Sequence, residues 1–177
     1  MGHVPIQVIP GELTDNYDPT KDVMHLSNGI CNGNSLASVA VAAHESGHAM
    51  QDGSNYGFVK FRIAMVPVVN LVSGASWPFI FIGLALAVAG HALGNLLFDL
   101  GIIMFTVVVL FHTVTLPVEF NASRRAIQEL VALGIVDEAE VKGAKKVLSA
   151  AAMTYVAALA TSVLNLVRLL LLRGSND

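Results

Sequence analysis

Charge is scarce in this 177-residue chain. Asp, Glu, Lys and Arg together make up 13% of it, against about a quarter in an ordinary soluble domain. The balance is −3, so there is no basic surplus and no nucleic-acid partner is expected. Cysteine occurs once, at Cys31, which excludes an intrachain disulfide and any cysteine-built zinc site. Cys31 is read as a small buried residue. The first 19 residues are polar and turn-rich and hold no apolar signal core, so membrane insertion is expected to be driven by internal segments. What fills the space left by charge is apolar: 54% of residues, with a mean hydropathy of +0.65.

The first third alone reads as a soluble unit. Residues 4–9 alternate apolar and polar with β-branched side chains, and residues 23–27 do so more briefly, so both are expected as strands. Between them PGELTDNYDPTKD is dense in turn formers and is read as a loop or hairpin turn, and residues 28–34 as another loop. Asn34 or Ser35 can cap the helix that follows, expected to run to about Gln51.

From Arg62 to Glu119 the only formally charged residue between them is Asp99. A bilayer-crossing helix needs about 20 apolar residues. Residues 69–89 and 100–116 are the two candidate spans, with HALGN around Gly94 as the turn between them. Pro67 and Pro78 are expected to end or kink the first span. A polar amphipathic segment, 121–146, follows. Residues 149–172 are then apolar again, interrupted by Asn165 and Arg168, and are read as a third span, with packing against the other helices near the surface as the alternative. Lys60 and Arg62 before the hairpin and Arg124, Arg125, Lys142, Lys145 and Lys146 after it put both of its outer ends in the cytoplasm. Arg173, beyond the third span, would then lie outside, against the trend.

The chemistry is carried by His44-Glu45-Ser46-Gly47-His48, an H-E-x-x-H sequence within the predicted helix. Residues four apart share a helix face, so both imidazoles can reach one ion. Zinc accepts imidazole nitrogen, and Glu45 stands beside the pair as general base toward a water made acidic by the metal. Small residues at Ala40, Ala42, Ala43, Gly47 and Ala49 let another element pack close.

A catalytic zinc needs a third protein ligand. Among the other histidines, His3 is terminal, His25 lies in a strand, His91 in the far turn and His112 inside the second span, where it is read as a packing residue. Glu119 is the better candidate, because the hairpin returns there to the side it left. Ser123, four residues on, could hydrogen-bond to a ligand from behind, with Asn121 less well placed. Tyr155 could donate to an oxyanion, although nothing in the sequence singles it out.

PGELTDNYDP, NGNSLASVAVAAHESGHAMQ and TLPVEFNASRRA, in this order, resemble the YugP-type neutral zinc metallopeptidases, membrane proteins of bacteria. The resemblance runs from about Val4 to Arg173. More distantly, Glu119-Phe-Asn-Ala-Ser123-Arg-Arg-Ala126 is similar to the third-ligand helix of HtpX-like membrane peptidases, where the position of Ser123 is usually aspartate. The resemblance implies a gluzincin-type Zn2+ site of His44, His48 and Glu119 with Glu45 catalytic. A further N-terminal membrane helix, usual in the family, has no counterpart ahead of Val4, which implies a shortened form.

The expected fold is therefore a mostly α membrane protein with a small zincin-like α+β unit, a helical membrane hairpin and a C-terminal apolar helix. Residues 1–62 and 119–148 would form the metallopeptidase unit, 63–118 the hairpin and 149–173 the last helix. The expected function is zinc-dependent hydrolysis of peptide bonds, with polypeptides, including membrane proteins, as substrates. The expected setting is the bacterial cell membrane with the active site facing the cytoplasm. Two rival readings are an inactive zinc-holding membrane scaffold, whose mark would be a lost general base, and a transporter subunit. Glu45 is present, and polar residues cluster at the ends of the spans rather than at their middles.

Overall fold

A computed structural model describes residues 4–174, so His3 lies outside the described residues. The chain is mostly helical. Its elements in order are β1 (Ile6–Ile9), β2 (Asn16–Asp18), β3 (Val23–Ser27), α1 (Asn28–Cys31), α2 (Leu36–Gly53), α3 (Gly57–Val88), α4 (Ala92–Ala132) and α5 (Glu138–Gly174). Contacts divide it into two compact units, Met1–Lys60 with Leu116–Thr154, and Phe61–Thr115 with Tyr155–Asp177.

The first unit carries a three-stranded sheet of order β1-β3-β2. β1 runs parallel to β3, with Ile6 opposite Met24, and β2 runs antiparallel, with Asn16 opposite His25. β2 lies in the stretch expected to be loop. Its sequence, Asn-Tyr-Asp, has little strand propensity; pairing and side-chain bonds hold it instead. Asp15 accepts from the Ser27 backbone N–H at 2.7 Å. The Tyr17 hydroxyl lies 2.8 Å from Asp22 and 3.2 Å from Asp52, joining β2 to the end of α2. The expected loop at 28–34 begins instead with the helical turn α1. Cys31 is exposed, not buried, because that turn packs no side chain inward.

Ser35 caps α2, its hydroxyl accepting from Ser38 N–H at 3.1 Å. The core of this unit joins α2, α4 and α5 through Ala40, Ala126, Leu130, Val136, Ala144 and Leu148. Burying a leucine such as Leu130 contributes about 1.5–3 kcal/mol. The turn into α5 is a reciprocal cap. Asp137 accepts from the Glu140 N–H at 2.8 Å, and Glu140 accepts from the Asp137 N–H at 3.0 Å. The polar stretch 121–146 is thus not an element of its own. It is the end of α4, a turn at Gly134 with φ +65°, and the start of α5.

The second unit is built from the apolar parts of α3, α4 and α5, all three long and apolar enough to cross a membrane. Its core is Ile80, Phe98, Ile102, Phe105, Val109 and Leu169. Many of its large apolar side chains, such as Leu71, Phe81, Leu164 and Leu171, face outward, as lipid contact requires. Pro67 and Pro78 do not end α3; an apolar helix tolerates proline where its surroundings satisfy the freed carbonyl. The turn between the first two spans lies at Gly90, with φ +80°, and not around Gly94. Gly94 is inside α4, where a Cβ would strike the backbone of Ala87. The stretch 149–172 belongs to one helix, α5. Arg173 at its end makes a two-pronged ion pair with Asp99, Nε to Oδ1 at 2.6 Å and Nη2 to Oδ2 at 3.3 Å. The two charges that looked isolated along the sequence offset each other.

Candidate metal centre

α2 presents His44 and His48 on one face, and the part of α4 within the same unit crosses that face closely. The closeness depends on size. At Gly47 a Cβ would run into the carbonyl, C and Cα of Ala122, and Ala122 and Ala126 are completely buried. The crossing puts Glu119 against both imidazoles. Its Oε2 lies 3.2 Å from His44 Nε2 and 3.5 Å from His48 Nε2. The candidate ligand atoms of all three residues lie within 4.8 Å of one another. The two rings stand almost perpendicular, at 86°.

These residues fit a zinc ion. Ligand atoms around tetrahedral zinc, with bonds of about 2.0–2.1 Å, stand roughly 3.4 Å apart, and the two imidazole–carboxylate separations are of that size. Two nitrogens and one carboxylate oxygen also leave a fourth position open, as a catalytic site does.

Each imidazole is held from behind. Ser123 Oγ lies 3.1 Å from His44 Nδ1. On the other ring it is not Asn121 but Gln51 that meets His48, with Oε1 3.0 Å from Nδ1. Asn121 stands one step further out, accepting from Gln51 Nε2 at 3.1 Å and from Arg125 Nε at 2.9 Å. Gln51 escaped the sequence reading, which placed it only as the last residue of a helix. Its spacing of three from His48 puts it on the ligand face, and that is the signal that could have found it.

Electrostatics follow from burial. Burial pushes Glu45 up from the ordinary carboxylate range, and the neighbouring His48 and His44 only partly reverse this. Burial would raise Glu119 as well, but hydrogen bonds and charge from His44 and His48 prevail and hold it at about 2. Burial draws His48 down, but Glu119, Glu45 and Gln51 together outweigh it and raise His48 above its ordinary value. Among the described residues, the group of possible metal ligands is His44, His48 and Glu119 alone. His25 pairs with Asn16 Oδ1 at 3.1 Å, His91 is in the α3–α4 turn, and His112 and Tyr155 belong to the other unit.

Three comparisons bear on identity. A family model described as "Putative neutral zinc metallopeptidase" matches residues 1–174. The "Putative membrane protease YugP" of Bacillus subtilis (strain 168) is 46% identical over 170 residues, covering 96% of this chain and 72% of that protein. No solved structure matches the chain. The similarity to a membrane protease and the three long apolar helices fit a membrane protein, and zinc is the metal of the matched family. The chain belongs to the neutral zinc metallopeptidase family.

Proposed function

We propose that the protein is a zinc-dependent membrane endopeptidase in which His44, His48 and Glu119 hold the ion and Glu45 is the general base. The observation that carries this reading is the meeting of one Glu119 oxygen, on α4, with both imidazoles of α2 at 3.2 and 3.5 Å, on the helix that also carries Glu45. When bound, zinc polarises a carbonyl and makes water acidic enough to attack near neutral pH. Glu45 follows His44, so it points about 100° round the helix from it, toward the reacting water rather than into the ligand set. Its carboxylate takes one proton from that water as the oxygen bonds to the peptide carbon. It then delivers the proton to the amine as the C–N bond breaks. Ser123 and Gln51 keep the imidazoles directed at the ion.

The unit bearing the site is zincin-like in this reading, with its helix motif beside a small sheet. The basic residues flanking the spans support a cytoplasmic site, and the similarity to a protein of Bacillus subtilis named a membrane protease supports a bacterial cell membrane. Polypeptides, including membrane proteins, are the substrates. The test is zinc content and casein-type proteolysis of the purified protein beside Glu45→Gln. Cleavage by the parent and none by a zinc-loaded Glu45→Gln is the expected result. A parent that holds zinc and cleaves nothing would return the protein to the scaffold reading.

A further inference from the structure

Gln51 is completely buried yet polar at both ends of its amide. Its Nε2 donates to the Val118 carbonyl at 2.7 Å and to Asn121 Oδ1 at 3.1 Å, both on α4. Two acceptors opposite the nitrogen fix the direction of the amide, so the oxygen is the end that meets His48 Nδ1 at 3.0 Å. An acceptor facing Nδ1 requires the ring hydrogen to sit there. Nε2, which faces Glu119, is then left with its lone pair free for a metal.

The same side chain reaches the second helix at a telling point. Val118 is the residue before Glu119, so Gln51 joins the ring of a ligand on α2 to the backbone beside the ligand on α4. Asn121 is locked in turn by Arg125 Nε at 2.9 Å, and Arg125 Nη1 donates to the carbonyl of Met50 at 3.3 Å, next to Gln51. The bonds form a closed loop between the two helices. On the other ring Ser123 offers a hydroxyl, which donates or accepts with equal ease and so imposes no tautomer.

We propose that Gln51 is a positioning residue. It holds His48 as the Nδ1–H tautomer and sets the spacing between the ligand from α2 and the ligand from α4. The proposal rests on the metal site described above. Partners behind a ligating histidine are worth about 10–100-fold in metal affinity, and Gln51 serves two ligands at once.

The test uses the full chain, purified in detergent and stripped of metal. Zinc affinity is read by competition with a chromogenic chelator, folding by circular dichroism. The His48 tautomer is read by NMR of 15N-histidine-labelled protein at about pH 9, above the ordinary imidazole pKa of about 6.5. Gln51→Met is expected to fold, to bind zinc about 10–100-fold more weakly, and to shift the hydrogen of one imidazole from Nδ1 toward Nε2, where Glu119 accepts it. A folded Gln51→Met with the parent's zinc affinity and tautomers overturns the proposal. Should that variant not fold, Asn121→Asp and Asn121→Leu carry the test. The first keeps the acceptor for Gln51 and should match the parent, and the second should bind zinc several-fold more weakly. Equal affinity in the two overturns the proposal. His48→Ala separates the levels: a variant keeping the parent's affinity would remove the ligand set itself, and this proposal with it.

Discussion

At the site, two neighbouring side chains are asked to do different things, and substitution can separate them. In the proposed reaction Glu45 acts on water and His48 on the metal. Glu45→Gln is expected to keep the zinc and the fold while the cleavage rate falls about 10²–10⁴-fold, the usual consequence of losing a general base. His48→Ala is expected to lose the zinc and, with it, the stabilisation that metal binding lends to folding. Metal analysis, melting with and without zinc, and rate on the same preparations distinguish the two. Loss of zinc from Glu45→Gln would make Glu45 a ligand and undo the assignment. Ser123 belongs to this scale too. Where HtpX-like peptidases usually have aspartate, a neutral hydroxyl stands 3.1 Å from His44 Nδ1. Ser123→Asp is expected to tighten zinc binding, since a carboxylate behind a ligating imidazole raises its basicity. Unchanged or weaker affinity would show that the hydroxyl is already the better partner.

Two contacts between helices decide whether the elements can meet as they do. The first is the crossing of α2 and α4 at Gly47 and Ala122. Any side chain at residue 47 meets backbone there, which cannot rotate away. Gly47→Ala is expected to cost about 1–3 kcal/mol by overpacking and to weaken zinc binding, because Glu119 would move off with α4. Chemical denaturation and zinc titration of the variant check both effects, and a stable variant with normal affinity would mean that the helices are not in contact there. The second is Asp99 with Arg173. Bonds between helices in lipid are worth about 0.6 kcal/mol on average and up to about 1.7 kcal/mol. Arg173→Leu and Asp99→Leu should each lower stability in micelles, and the double substitution should recover part of the loss. Strict additivity in that cycle would mean that the pair contributes nothing.

For the molecule as a whole the open matter is which side each end of the spans occupies. The structure moves the diagnostic position to the turn at Gly90. Because Cys31 is exposed, labelling must start from a Cys31→Ser background. Cysteine at Ala89 should react with an impermeant reagent in intact cells, and cysteine at Lys60 or Lys142 only after lysis. Labelling of Ala89→Cys only after lysis would reverse the orientation and put the proposed site outside the cell.

What was legible beforehand was whatever depends on near neighbours in the chain. His44 and His48 four apart share a face by helix geometry alone. Ser35 as a cap, β3 over residues 23–27, and the long uncharged stretches all follow from local pattern, and the structure holds them as read. The rest depended on which surfaces meet. β2 is a strand because β3 offers it an edge and Asp15 and Tyr17 fasten it, although its own residues do not favour one. The prolines failed to break α3 because the helix surroundings, rather than local propensity, set their cost. Glu119 could be guessed from the returning hairpin, but its separation from the two imidazoles is a property of how closely α4 lies on Gly47. Gln51, 67 residues from Val118 and 70 from Asn121, shows the limit best. Its type and place in the chain say only "polar, end of helix"; its role exists only once α2 and α4 are packed, when a buried amide must find a partner for each of its polar atoms or leave it unsatisfied at a cost of about 1–3 kcal/mol.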